Sequence, residues 1–151
     1  MPVWKIYHSP NIFTDQDKAT IAKGATDYYV GVDLPAFYVH VFFIPVAKED
    51  NLTAGIQQDR FVFMELDHIA RNLGPDWGKW RTDRLKNGID SVMMPFTTHK
   101  GIHLEYCVLE GPAVLWRIDG VDPPESFGPD EQAQAEENRK LLAEKYGTAT
   151  H

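Results

Sequence analysis

The sequence of 151 residues predicts a single α+β domain that spans residues 1–151. Two tandem β-α-β units are expected to form one four-stranded, mostly parallel or mixed sheet, with two helices on one face and a C-terminal helical extension. Two observations predict this fold. A strand, helix and strand pattern occupies residues 2–46, and the same order returns in residues 60–110. Residues 111–151 supply the extension, a short strand followed by a helix.

The first unit begins with Pro2–His8, where polar and apolar residues alternate as in a β-strand. Thr14 is a plausible N-cap, with Asp17 three residues later, and Gly31 is a suitable stop for the helix between them. Residues 37–46 are β-branched and aromatic, and they predict a strand that is buried on both faces. A helical connection of this length fits two parallel strands.

The second unit repeats this order with a strand at 61–66, a helix that begins near residue 74 and ends before Pro95, and a strand at 101–108. A further strand is predicted at 114–118, and a polar surface helix at about 129–146. The middle helix is expected to carry its apolar residues on one face: Trp77, Trp80, Leu85, Ile89 and Val92.

Composition excludes several classes of function. A net charge of −7 argues against a nucleic-acid partner, which would need a basic face. No run approaches the ~20 apolar residues of a membrane helix, and no secretory signal is recognisable, so no membrane association is expected. The single cysteine, Cys107, cannot form an internal disulfide and fits a reducing compartment. The expected location is the cytoplasm.

Pro2 is the most informative residue, because removal of Met1 would make it the first residue of the chain. Its free end would then be a secondary amine, which a protein can tune to exchange protons near neutral pH. A rigid strand would also hold the amine in place. The alternative is that Pro2 only starts an edge strand, where its missing N–H has no consequence.

Three stretches carry a family resemblance: PVWKIYH from Pro2, DHIAR from Asp67 and LWRIDG from Leu115. Together with the two β-α-β units, they resemble the tautomerase superfamily. The similarity is greatest to the cis-3-chloroacrylic acid dehalogenase branch and its fungal-type members. The resemblance implies the tautomerase fold, a homotrimer with active sites near subunit boundaries, no cofactor, and a proline amine at the base of a cationic pocket.

The resemblance also implies roles for individual residues. Pro2 matches the catalytic proline, and Tyr29 falls where the family has a histidine that binds substrate. The pair of substrate-binding arginines of the family aligns with His68 and Arg71 if one residue is inserted. Tyr106 matches an activating tyrosine. A surface ion pair with Asp67 is the structural alternative for Arg71, and a satisfied structural histidine is the alternative for His68.

This chain departs from the family at the glutamate that positions water in the dehalogenase. That glutamate falls on or beside Ile118, which leaves Asp119 as the candidate catalytic carboxylate. Because a one-residue shift on a strand reverses the side chain, Asp119 need not face the pocket. Arg117 is either an outward-facing residue or a second cation for the substrate.

The histidines do not predict a metal site: His8, His40 and His68 are scattered along the sequence, and the pair His99 and His103, although spaced as HxxxH, is too few ligands to make one. His40 lies within the most apolar predicted strand, and a structural role is favoured there.

Three functions remain in view. The favoured one is a cofactor-independent tautomerase that acts on a small keto, enol or unsaturated carboxylate through neutral Pro2. The second is a hydratase or dehalogenase of 3-substituted acrylates, in which Pro2 is a protonated acid and Asp119 activates water. The third is a catalytically silent binding protein with the same fold, the expected state if Met1 is retained.

Overall fold

The structure, a computed structural model, describes residues 1–69, 78–124 and 128–146. Residues 145 and 146 are described by their backbone alone. The described residues form a four-stranded sheet, a small separate hairpin, three α-helices and several short 3-10 turns. The strands are β1 (Pro2–His8), β2 (His40–Pro45), β3 (Leu52–Thr53), β4 (Ile56–Gln57), β5 (Phe61–His68) and β6 (His103–Glu110), and the helices are α1 (Asp15–Val30), α2 (Lys79–Met93) and α3 (Glu131–Tyr146).

The main sheet has the strand order β2-β1-β5-β6. Within each half of the chain the two strands run parallel, β1 with β2 and β5 with β6, and a helix lies between them in the sequence. The two halves meet through the antiparallel pair β1 and β5. The predicted mixed sheet built from two β-α-β units is therefore confirmed.

One face of the sheet is covered by α1 and α2, because alternate residues of the two central strands are apolar. Trp4 and Ile6 of β1 are fully buried in one cluster with Ile21 of α1 and Ile89 of α2. On the opposite face, the ammonium of Lys5 lies between the carboxylates of β5: Lys5 Nζ is 2.7 Å from Glu65 Oε1 and 2.8 Å from Asp67 Oδ2.

The start of α1 follows the predicted capping box. The Thr14 hydroxyl accepts a hydrogen bond from the backbone N–H of Asp17 at 3.1 Å, and the Asp17 carboxylate accepts one from the backbone N–H of Thr14 at 2.9 Å. Both bonds satisfy backbone donors that a helix start leaves without partners. The helix ends as predicted at Gly31, whose N–H donates to the Asp27 carbonyl.

The prediction for the second strand is wrong in one respect, because β2 is not buried on both faces. It lies at the edge of the sheet, and the side chain of Phe42 is 52% exposed. The apolar run indicates a strand correctly, but its place in the sheet depends on how distant strands pair, which no local pattern records.

The strand predicted at 114–118 is also wrong. Ala113–Leu115 form one turn of 3-10 helix after Pro112, and Ile118 and Val121 then form a single β-bridge. The two residues between them, Asp119 and Gly120, have φ values of 51° and 85°. Two positive φ angles define a type I′ turn, for which Asp-Gly is a preferred sequence.

The other two helices differ from prediction mainly at their edges. α2 begins at Lys79, and residues 70–77, including Trp77, lie outside the described residues. Leu85 and Ile89 of α2 are buried as expected, but Trp80 in its first turn is 62% exposed and contacts the Arg81 guanidinium. α3 is confirmed. No helix in the described part of the chain is long and apolar enough to span a membrane.

Candidate functional site

The start of β1 lies at one end of the sheet, between the start of β2 and the end of β5. Pro2 is fully buried and faces His68 across the antiparallel pair, and Val3 is the register partner of His40. The carbonyl of Met1 accepts a hydrogen bond from the N–H of Ile69 at 3.1 Å. Pairing on both sides therefore fixes the beginning of the chain, as the sequence-based hypothesis for Pro2 requires.

The amino group of Met1, next to Pro2, is shielded from solvent. Burial lowers the pKa of the Met1 amine to about 4. The pKa of His40 is lowered as well, mainly by burial and additionally by the charge of this amine. Removing water disfavours the ammonium, so the amine at the start of β1 is neutral at pH 7.

Tyr29 and His68, both predicted as substrate-binding residues, meet at the same end of the sheet. The Tyr29 hydroxyl lies 3.4 Å from Nδ1 of His68, and the two ring centroids are 6.0 Å apart. Both side chains are buried, and burial raises the pKa of Tyr29. The fold thus brings Pro2, Tyr29 and His68 together from β1, α1 and β5.

Tyr106 lies away from Pro2, Tyr29 and His68 in the same chain. Its register partners are Met64 and Ile6, whereas the row that holds Pro2 continues through His68 to Glu110. Four residues along a strand correspond to ~13 Å. The Tyr106 hydroxyl donates to Oδ1 of Asp90 at 2.9 Å, and burial together with this carboxylate raises the pKa of Tyr106 to about 12.

The last three predicted residues divide between the hairpin after β6 and the undescribed segment. Arg117 is exposed and forms a two-pronged ion pair with Asp122, at 2.7 and 3.0 Å. Asp119 is exposed in the type I′ turn. Arg71 lies outside the described residues, in the segment that directly follows β5.

His40, for which the sequence favours a structural role, lies near the start of the chain. Its contact with the chain start follows from the parallel pairing of β1 and β2, which sets His40 opposite Val3. A usable signal was present in the sequence, since His40 opens the strand that a β-α-β unit pairs with β1. Asp90, the partner of Tyr106, had no such signal.

Comparisons with known proteins agree with this fold. A family model described as "Putative oxalocrotonate tautomerase enzyme" matches residues 1–139. A protein from Aspergillus fumigatus, described as a probable enzyme, is 40% identical over 91% of this chain and 94% of its own, with a TM-score of 0.79. Native RhCC from Rhodococcus jostii RHA1 is 33% identical over 90% and 96% of the two chains, with a TM-score of 0.81.

More distant structures share the fold alone. N1, described as a member of the cis-3-chloroacrylic acid dehalogenase family, is 17% identical over 96% of this chain and 95% of its own, with a TM-score of 0.70. A fused 4-OT described as an asymmetric trimer is 12% identical over 80% and 94%, with a TM-score of 0.62. No protein with a curated description matches. By its family match and its neighbours, this chain belongs to the tautomerase superfamily.

Proposed function

We propose that the protein is a cofactor-independent enzyme of the tautomerase superfamily, in which Pro2, exposed by removal of Met1, acts as general base and acid. The substrate is a small keto, enol or unsaturated carboxylate. Pro2 takes a proton from one carbon or oxygen of the substrate and returns it to another.

The observation that carries this proposal is the burial of the amine at the start of β1. An unperturbed α-amino group titrates near ~7.7–8.0, and a secondary amine somewhat higher. Burial lowers the pKa of the Met1 amine to about 4, and the same surroundings would act on the amine of Pro2. A neutral amine is the form that accepts a proton.

Removal of Met1 would also create space for a substrate. The Met1 side chain is partly buried against the hydrophobic core, beside the backbone of Ile69. Once it is absent, the nitrogen of Pro2 borders the volume that the methionine filled. Tyr29 and His68 lie in contact at the same end, and the imidazole of this pair is proposed to donate a hydrogen bond to a carbonyl or enol oxygen.

The carboxylate of the substrate requires a cation. Arg71 follows β5 within three residues of His68 and is proposed for this role, because a guanidinium binds a carboxylate through two parallel hydrogen bonds. Arg117, Asp119 and Tyr106 are proposed as contributions from a neighbouring copy, since the row of Tyr106 is offset from the row of Pro2 by ~13 Å along the strands, and Tyr106 lies two strands away as well.

A homotrimer would supply such neighbours. The uncovered face of the sheet carries the Lys5 ion pairs and a contact between the rings of Tyr7 and Phe63, 6.3 Å apart. The edge residue Phe42 is exposed as well. We expect copies of the chain to cover these groups, which light scattering of the purified protein tests directly. The single free cysteine, Cys107, is compatible with the proposed cytoplasmic location.

The decisive experiment compares Pro2→Ala with the native sequence in the ketonisation of phenylenolpyruvate and small 2-hydroxydienoates. Alanine still permits loss of Met1 and leaves only a primary amine, so we expect kcat to fall by about 100-fold, the scale of general acid–base catalysis. Pro10→Ala, in an exposed turn, is the matched control and should retain full activity. Unchanged activity in Pro2→Ala, or an intact mass that includes Met1 in active protein, would contradict the proposal.

The pH profile separates the tautomerase from its hydrolytic alternative. A proline base gives activity that rises with pH through its titration, whereas a protonated proline in a hydratase or dehalogenase gives activity that falls. Halide release from 3-chloroacrylates, abolished by Asp119→Asn, would favour that alternative. A silent binding protein would show neither reaction in processed material.

A further inference from the structure

A buried polar group lies in the core beneath Pro2. Trp4 lies two residues further along β1 on the same, helix-covered face and is completely buried. Its indole Nε1 has no hydrogen-bond partner among the residues that the structure describes. A buried N–H that lacks a full hydrogen bond is costly, so an acceptor with which it interacts is informative.

That acceptor is the hydroxyl of Tyr29. Burial raises the pKa of Tyr29, and the indole N–H of Trp4, the smaller cause, lowers it, so the indole acts on this oxygen without a full hydrogen bond. The same hydroxyl lies 3.4 Å from Nδ1 of His68. Trp4, Tyr29 and His68 therefore form a line of polar groups that leads from the core to the row of Pro2.

The direction of this line follows from what each group is able to donate. An indole nitrogen only donates, so Trp4 directs its N–H towards the oxygen of Tyr29. The hydroxyl of Tyr29 then donates its single proton to Nδ1 of His68, because a phenol is a good donor and an imidazole nitrogen is a good acceptor. Nδ1 of His68 must consequently lack a proton in the neutral ring, which leaves the proton on Nε2.

We propose that Trp4 and Tyr29 are positioning residues that hold the neutral imidazole of His68 in one tautomer, with its proton on Nε2, opposite Pro2 in the sheet. In the proposed reaction this tautomer makes His68 a directed hydrogen-bond donor to the substrate oxygen, rather than a variable one. The catalytic consequence rests on the proposed function, whereas the tautomer itself does not.

Among the described residues, the hydrogen-bond contact found at Nδ1 of His68 is the one with Tyr29. β1 brings the amine at the chain start, and β6 brings Glu110, whose carboxylate accepts when it is ionised. α1 brings Tyr29, the residue that reaches Nδ1. The segment 70–77 that follows β5 lies outside the described residues, so the test measures the tautomer directly.

The protein contains an internal reference for such a measurement. His8, at the end of β1, is also buried, but its Nδ1 lies 2.9 Å from the carbonyl oxygen of Ser9. A carbonyl only accepts, so in the neutral ring of His8 the proton is on Nδ1. His8 and His68 should therefore show opposite tautomers in one spectrum.

The experiment is a long-range proton–nitrogen correlation spectrum of uniformly ¹⁵N-labelled protein at about pH 8, where most histidines are neutral. We expect an unprotonated Nδ1 in His68 and an unprotonated Nε2 in His8. Tyr29→Phe should convert His68 into a mixture of tautomers, and Trp4→Phe should do so to a smaller extent. In both variants the spectrum of His8 should remain unchanged, which shows that the fold is intact.

Tyr28→Phe is the matched control, since Tyr28 is adjacent on α1 and its hydroxyl donates instead to the carbonyl of Arg84 at 3.4 Å. It should leave the tautomer of His68 unchanged. A proton on Nδ1 of His68 in the native protein would overturn the inference, and so would a single tautomer that persists in Tyr29→Phe. Loss of tautomerase activity in Pro2→Ala tests the proposed function separately, because it does not depend on this spectrum.

Discussion

The two ends of the central strand pair resemble each other and yet differ in chemistry. Each of the strands β1 and β5 ends in a buried histidine on the helix-covered face, His8 at one end and His68 at the other. His8 is enclosed by the rings of Phe13 and Phe43, with centroids 5.2 and 6.2 Å away. His68 is instead in contact with the hydroxyl of Tyr29 and lies opposite Pro2.

The difference arises from the group that lies beside each histidine at the start of the neighbouring strand. At the His8 end, β5 begins with Phe61, whose N–H donates to Oγ of Ser9 at 3.1 Å and whose carbonyl accepts from the N–H of Ser9 at 3.0 Å. At the His68 end, β1 begins with a buried amino group. A duplicated β-α-β unit therefore produces two similar ends, and the end with a titratable nitrogen is the one suited to proton transfer.

The largest expected effect is a pH dependence of stability that arises from the buried amine at the His68 end. In protein that retains Met1, the pKa of the amine is about 4 when folded, against about 8 when unfolded. The unfolded chain then binds a proton that the folded chain does not, so the free energy of unfolding should rise with pH between about 4 and about 8, by at most about 1.4 kcal/mol per pH unit.

Urea unfolding at several pH values measures this slope, on material whose intact mass includes Met1. Selective ¹⁵N labelling of methionine allows the same amine to be titrated directly by NMR. An amine that titrates near its ordinary value, together with a flat stability profile, would contradict the buried placement.

The second prediction exchanges the two histidines for glutamine, one at a time. His68→Gln should lower kcat in the proposed reaction by about 100-fold, because it removes a donor aimed at developing charge. His8→Gln should leave kcat unchanged and lower the free energy of unfolding by about 1–3 kcal/mol, since it disturbs a buried aromatic cluster. Steady-state kinetics and urea unfolding of both variants check this. Equal loss of activity in the two would remove the distinction between the ends.

The smallest effect concerns the packing of Tyr28 against Tyr29 and α2. The ring of Tyr28 packs edge-on against Tyr29, with centroids 5.1 Å apart, and it lies where a Cβ on Gly88 of α2 would be. Gly88→Ala should lower the free energy of unfolding by about 1 kcal/mol, because the ring must move and the cost of overpacking exceeds the gain in helix propensity.

Gly24→Ala, on the facing helix, is the control for Gly88→Ala. There a Cβ would lie 3.3 Å from Val92, a tight contact that a small shift relieves. We expect stability to stay within about 0.5 kcal/mol of the native value. Equal losses of stability in the two glycine variants, measured by urea unfolding, would show that the close approach of Tyr28 to α2 does not cause the loss in Gly88→Ala.

Local signals in the sequence predicted the elements well. The capping box at Thr14, the stop at Gly31 and the two β-α-β units are confirmed, because each depends on neighbours within a few residues or on a repeated pattern. The edge position of β2 and the turn at Asp119 were missed. The first depends on pairing between distant strands. The second was visible as Asp-Gly, but it was not recognised as a turn because a strand was predicted directly before it, at 114–118.

The site was predicted only in part for the same reason. The contact between Tyr29 and His68 joins residues 39 positions apart and exists because β1 pairs with β5 in one particular register. The family resemblance selected both residues without giving that contact. His40 was visible in the sequence, but its proximity to the chain start depends on the parallel register of β1 and β2.

The hydrogen bond between the Met1 carbonyl and the N–H of Ile69 has a consequence for biosynthesis. A peptidase that trims the first residue needs an extended, accessible terminus, and folding encloses this one between two strands. In the proposed enzyme, trimming would therefore have to come before β5 is in place. At about 5–20 residues per second, a ribosome needs roughly 3–14 seconds to translate as far as residue 69. In this protein, the order of trimming and folding would decide whether a newly made molecule is competent.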